Sequence, residues 1–157
     1  MTDLVFRNSA AAVGEAELQS LAALIGFDPP AALRRHYLRS NGGTPVLTAW
    51  ELHSGEFLVV SEFLPVGPLE PGKRTIASTL EILQQRGVLK PGLVPFARDW
   101  GGNCVCFDAA GAVYFCSLDA WGAERSAAEN IRHTTKLLAA SFDEFLAGLQ
   151  ADPDDDS

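Results

Sequence analysis

Basic residues are scarce in this chain, with 12 Lys and Arg against 20 Asp and Glu, a net charge of −8 and an isoelectric point near 4.7. Nucleic-acid affinity comes largely from Lys and Arg neutralising phosphates, so a nucleic-acid partner is disfavoured and a protein partner is expected to be basic. Long apolar runs are missing too. None approaches the roughly 20 residues that a spanning helix requires, so no membrane partner is expected. The opening Met1, Thr2, Asp3, Leu4, Val5, Phe6 puts an acid before the first apolar run, without the basic segment of a secretory signal.

Cysteine is limited to Cys104, Cys106 and Cys116, an odd number, which argues against a disulfide framework and for a reduced, cytoplasmic setting. The C-x-C spacing also falls short of the C-x₂₋₄-C of zinc sites. On a strand it places two thiols on one face some 7 Å apart, at roughly 3.3 Å per residue. Small apolar residues packed in a sheet are the reading adopted, and no metal or other cofactor is expected. His36, His53 and His133 form no H-x₃-H pair. The pairs Gly42, Gly43 and Gly101, Gly102 sit in no phosphate-cradling motif and read as turns, with Asn41 and Gly42 suiting a helix C-cap.

What is present is ordinary for one soluble domain: 157 residues, 47% hydrophobic and 20% charged. Residues 1–151 are expected to form that domain, and 152–157, rich in Asp, an acidic disordered tail. Leu18, Leu21, Ala22 and Ile25 recur at helical spacing and predict a helix over 15–25. A second helix is expected with Asp28 as N-cap, Pro29 at its first position and Asn41, Gly42, Gly43 as its stop. Leu33 and Tyr37 share its inner face, while Arg34, Arg35 and Arg39 read as solvated charges rather than an anion site.

Strand-like runs at 46–52 and 56–63 flank His53, Ser54, Gly55 and predict a β-hairpin. A loop marked by Pro65, Gly67, Pro68, Pro71 and Gly72 follows, and Ile76, Leu80 and Leu83 then predict a helix over 75–86 that Gly87 ends. A strand over 93–97, a loop over 98–102 and a hairpin of 103–108 with 112–117 come next. Glycine last in the connection Ala109, Ala110, Gly111 fits a left-handed position. Placing Asp108 against Ala112 sets Phe107 opposite Val113, Val105 opposite Phe115, Cys106 opposite Tyr114 and Cys104 opposite Cys116. One face of the pair is then continuously apolar and should meet the helices. Ser141 and Glu144 form a capping box ahead of Phe142, Phe145, Leu146 and Leu149, the stripe of a final helix. Antiparallel hairpins packed with helices from both ends and the middle of the chain make the fold class α+β.

Asp99, Trp100, Asp119 and Trp121 are the candidate partner-binding residues. Two indoles beside carboxylates, in loops flanking the central hairpin, suit an interface with a basic protein, although a tryptophan can equally close the end of a small core.

The run from Pro30 to Gly43, ending Ser40, Asn41, Gly42, Gly43, resembles the helix-to-NGG segment of the SUKH superfamily of cell-wall-assembly regulators and bacterial immunity proteins. Leu93, Val94, Pro95, Phe96, Ala97, then Gly101, Gly102, Asn103, then Asp108, Gly111, Val113, Tyr114 is similar to that family's core, and Ala140 to Leu146 to its closing helix. The stretch Phe115, Cys116, Ser117, Leu118, Asp119 departs from relatives that carry a histidine there. The resemblance implies an α+β domain and a non-catalytic antitoxin that binds and neutralises a cognate polymorphic or contact-dependent toxin, often a nuclease. A general intracellular interaction module of the same fold is the alternative, and an enzyme using Cys104, Cys106 or Cys116 a third reading.

Overall fold

The computed structural model describes residues 4–67 and 72–154. Pro68 and Pro71 of the expected loop and residues 155–157 of the expected tail lie outside that range. Within it, the Asp154 amide donates to Asp152 Oδ1 at 2.9 Å.

Helix α1 spans Glu15–Ile25, as its periodicity predicts, buries Leu18 and Leu21, and ends on left-handed Gly26. Helix α2 spans Ala31–Arg39 with Pro30, not Asp28, at its N-cap and no side-chain cap. A proline disfavours helical geometry in the residue before it, so with Pro29 and Pro30 adjacent the helix starts later than expected. Its C-cap is Ser40 in extended backbone rather than Asn41. Asn41 is instead buried. Its Nδ2 donates to Ala11 O at 2.9 Å and Val66 O at 2.7 Å, and its Oδ1 accepts from Val66 N at 2.7 Å. Gly43 follows at φ 103°, and a Cβ there would lie 2.5 Å from Arg7 O. This close pairing of segments is why the NGG triplet contains two glycines.

Strands β1 (Phe6–Arg7) and β2 (Thr44–Pro45) make a two-stranded sheet. The Val46 amide extends that pairing to Val5 O at 2.9 Å. Val46 and Leu47 therefore lie between two sheets and are exposed, and the expected strand over 46–52 shortens to β3 (Ala49–Glu51). Strand β4 (Phe57–Phe63) completes the expected hairpin, with Gly55 at φ 90° in its turn.

Helix α3 (Ile76–Arg86) is capped by Thr75, which accepts from Ser78 N, and stopped by left-handed Gly87. Strand β5 (Val94–Asp99) runs two residues beyond its expected end, because Asp99 N still donates to Asn103 O at 3.1 Å. Strands β6 (Cys104–Phe107) and β7 (Val113–Cys116) pair in the predicted register, from Cys104 opposite Cys116 to Phe107 opposite Val113.

Helix α4 (Ala127–Thr134) and strand β8 (Thr135–Ala139) lack a sequence expectation, as do the short strands β1 and β2. Helix α5 (Phe142–Gly148) is capped by Ser141 Oγ, while Glu144 reaches the Ala140 amide at 3.2 Å, one residue before the expected half of the capping box.

Strands β3 to β8 form one antiparallel sheet in sequence order. On one face, Phe63, Phe96, Val105, Phe107 and Val113 pack with Leu18, Leu33, Tyr37, Phe142 and Phe145 from α1, α2 and α5. The apolar face of the β6–β7 hairpin thus meets the helices, as expected. The opposite face carries a smaller cluster in which Cys104, Cys106 and Cys116 lie with Leu83, Leu93 and Leu118. Among the described residues no helix is long and apolar enough to cross a membrane.

Candidate protein-binding site

Two acids punctuate the central strands in the same way. Asp108 Oδ1 accepts from Ala110 N and Ala112 N, each at 3.0 Å, and its Oδ2 accepts from Tyr114 Oη at 3.1 Å, closing the β6–β7 turn. Asp99 Oδ1 accepts from Gly101 N at 2.9 Å and Asn103 N at 2.8 Å. Asn103 Nδ2 adds a donor to Asp99 Oδ2 at 3.2 Å. Asp99 therefore shapes the loop that carries Trp100, and much of its hydrogen-bonding capacity is used inside that loop.

Trp100 is 78% exposed at the crest of this loop. An exposed indole gains nothing from the core of its own chain, which separates it from a tryptophan closing the end of a core. Asp119 is exposed and Trp121 half-buried in the turn after β7. Asn103 joins the two segments, since its Oδ1 accepts from Leu118 N at 3.0 Å. The second segment has its own brace: Asn130, buried on α4, accepts from Gly122 N and donates to Gly122 O, both at 2.8 Å, and Arg125 Nη1 donates to Ala120 O at 2.8 Å.

Asn103 and Asn130 were not among the candidates, although both position the loops that carry them. A signal existed for each. Asn103 closes the Gly101, Gly102, Asn103 triplet, and Asn130 follows Ser126 and Glu129, whose cap marks the start of α4.

The remaining groups with chemical potential lie elsewhere. Burial pushes the Cys104 thiol up to about 12 and raises Cys106 well above the ordinary range. Among the described residues, no His, Asp or Glu hydrogen-bonds any of the three sulfurs. His36 is 8% exposed and packed against the rings of Phe6, Tyr37, Phe63 and Phe142, and burial, with Arg39 adding to it, lowers its pKa to about 4. His53 and His133 are exposed, in the β3–β4 turn and on α4. Of the α2 arginines, Arg34 pairs with Glu15 and Arg35 with Asp143 at 2.8 Å, so both have carboxylate partners rather than water alone. A half-open groove of about 870 Å³ beside α2 and α5 is walled by residues including Val5, Val46, Leu47 and Leu146. None of the four candidate residues lines it.

The family model described as the SMI1 / KNR4 family (SUKH-1) matches residues 12–148, most of the chain. That span takes in α1 to α5, the whole six-stranded sheet and both braced loops. No curated protein matches the chain.

Proposed function

The chain belongs to the SMI1 / KNR4 (SUKH-1) family, and from that membership we propose that it is a non-catalytic, immunity-type protein that binds and neutralises a cognate bacterial toxin. The observation that carries this reading is Trp100, 78% exposed on a loop held by hydrogen bonds from Asp99 and Asn103 rather than by burial. Tryptophan in a preorganised position dominates many protein interfaces, because little conformational freedom is lost when it docks.

Asp119 and the half-buried Trp121 extend the proposed surface, with Asp99 contributing charge and loop shape. The net charge of −8 suits a basic toxin, for which a nuclease domain is the expected type. Opposite charge raises the association rate and disfavours wrong partners. The proposed action needs no cofactor and takes place in the cytoplasm, where such a toxin would act.

Where a toxin domain is encoded next to this chain, co-expression of the two should restore growth, and they should co-purify. Capture of a non-toxin partner, with no rescue, would instead support the regulatory module of the same fold.

A further inference from the structure

We propose that Cys106 and Cys116 form a reversible intramolecular disulfide when the protein meets a two-electron oxidant such as hydrogen peroxide. The pair is not the one that strand register alone would nominate, since Cys104 is directly opposite Cys116 and Cys106 is opposite Tyr114. The side chains nevertheless bring the Cys106 and Cys116 sulfurs to 3.7 Å, in an S–H···S contact across the diagonal of the hairpin. All three cysteines are buried in the cluster beneath Leu83, Leu93 and Leu118.

Two features make Cys116 the sulfur that reacts first. It is the last residue of β7, at its junction with the Ser117 turn, whereas Cys106 lies fully buried two pairs along the hairpin, opposite Tyr114. Its contact with Cys106 Sγ at 3.7 Å also holds the Cys116 thiol below its ordinary pKa despite burial, with Thr135 adding to the effect. The thiolate is the nucleophile in thiol oxidation.

The Cys116 thiolate attacks one peroxide oxygen, an S–O bond forms, the O–O bond breaks, and the departing hydroxide is protonated to water. The sulfur of Cys106 then attacks the sulfenic sulfur. An S–S bond forms, the S–O bond breaks, and the hydroxide takes the Cys106 proton to leave as a second water. Two thiols have lost two electrons to one peroxide. The ring so closed spans only the β6–β7 turn, so it constrains the unfolded chain little compared with a long-range bridge. Its consequence is local. The sulfurs must move closer than 3.7 Å, which pulls the strands together beside Leu118 and the turn that carries Trp121.

The full chain is treated with peroxide and its free thiols are titrated after denaturation. Loss of two of the three thiols, their recovery with dithiothreitol and an intact mass lower by two hydrogens are expected. All three cysteines fall between Arg98 and Arg125, so trypsin alone leaves them on one peptide, and chymotryptic cutting at Phe107 and Tyr114 is needed to reveal the link. Fragment spectra of the wild-type chain should join Cys106 to Cys116, and Cys104→Ser should keep the bond while Cys106→Ser and Cys116→Ser lose it. A Cys104–Cys116 bond, intermolecular bonds, or irreversible oxidation without any bond would each overturn the proposal, and because the wild-type mapping needs no variant, it holds even if one fails to fold.

Discussion

The side chain of Asn103 accepts a hydrogen bond from the Leu118 amide at 3.0 Å while donating to Asp99 at 3.2 Å, and so couples two loops that are separate in sequence. Replacing Asn103 by Ala removes that coupling and leaves the Leu118 amide without its partner. The expected cost is about 1–2 kcal/mol of stability, measurable by urea denaturation, with weaker capture of the toxin as a second effect. Asn103→Asp keeps the acceptor for Leu118 but sets a second carboxylate against Asp99, so it should not restore the wild-type value.

Trp100 separates binding from folding. With its side chain mostly in solvent, Trp100→Ala should change stability by no more than about 0.5 kcal/mol. Toxin affinity, measured by calorimetry, should fall by about 2 kcal/mol or more if the indole is an interface anchor. Unchanged affinity in a folded Trp100→Ala protein would remove Trp100 from the interface.

Gly148 ends α5 where the Trp50 ring packs on Phe145 at a centroid distance of 5.0 Å. A Cβ at position 148 would lie 2.2 Å from the Trp50 ring. Gly148→Ala should therefore cost about 1–3 kcal/mol through overpacking and lower the thermal midpoint. In Trp50→Leu the same Gly148→Ala change should cost less, a non-additivity that a double-mutant cycle detects.

His36 gives the molecule a pH dependence with a definite sign. Its folded pKa of about 4 lies below the ordinary 6.5, because burial, and then Arg39, disfavour the imidazolium. The folded state thus binds fewer protons than the unfolded chain, so the stability is whole above pH 6.5 and is lost as pH falls from there towards 4. The full effect is roughly 3 kcal/mol. Denaturation at several pH values should show a shallower slope in that window for His36→Leu than for wild type. Identical slopes would mean that His36 takes up its proton alike in the folded and unfolded chain.

Much of the sheet was legible because its turns are chemically explicit. Asp108 and Gly111 set the β6–β7 register, and the left-handed glycines after α1 and α3 mark where those helices stop. Helix α4 and strand β8 were not legible in the same way. Thr134 passes directly into Thr135 with no glycine or proline between helix and strand, so local pattern offers no boundary. Ser126 and Glu129 did carry the start signal, as serine accepting from an amide three residues on. The site divides along the same line. An exposed indole at Trp100 could be suspected from residue type, whereas the roles of Asn103 and Asn130 depend on amides that only the tertiary fold brings near.

The outer side of β3 is met by the far end of the chain, where Ala49 and Gln150 exchange backbone hydrogen bonds of 2.9 Å in each direction. The strand pairings from β3 to β8 all join neighbours in sequence, so the meander can zip up stepwise during synthesis. This last rung cannot. It waits until residue 150 has left the ribosome, so the first-made margin of the sheet is the last to be sealed, and a chain cut short before Gln150 would keep that margin available to other strands.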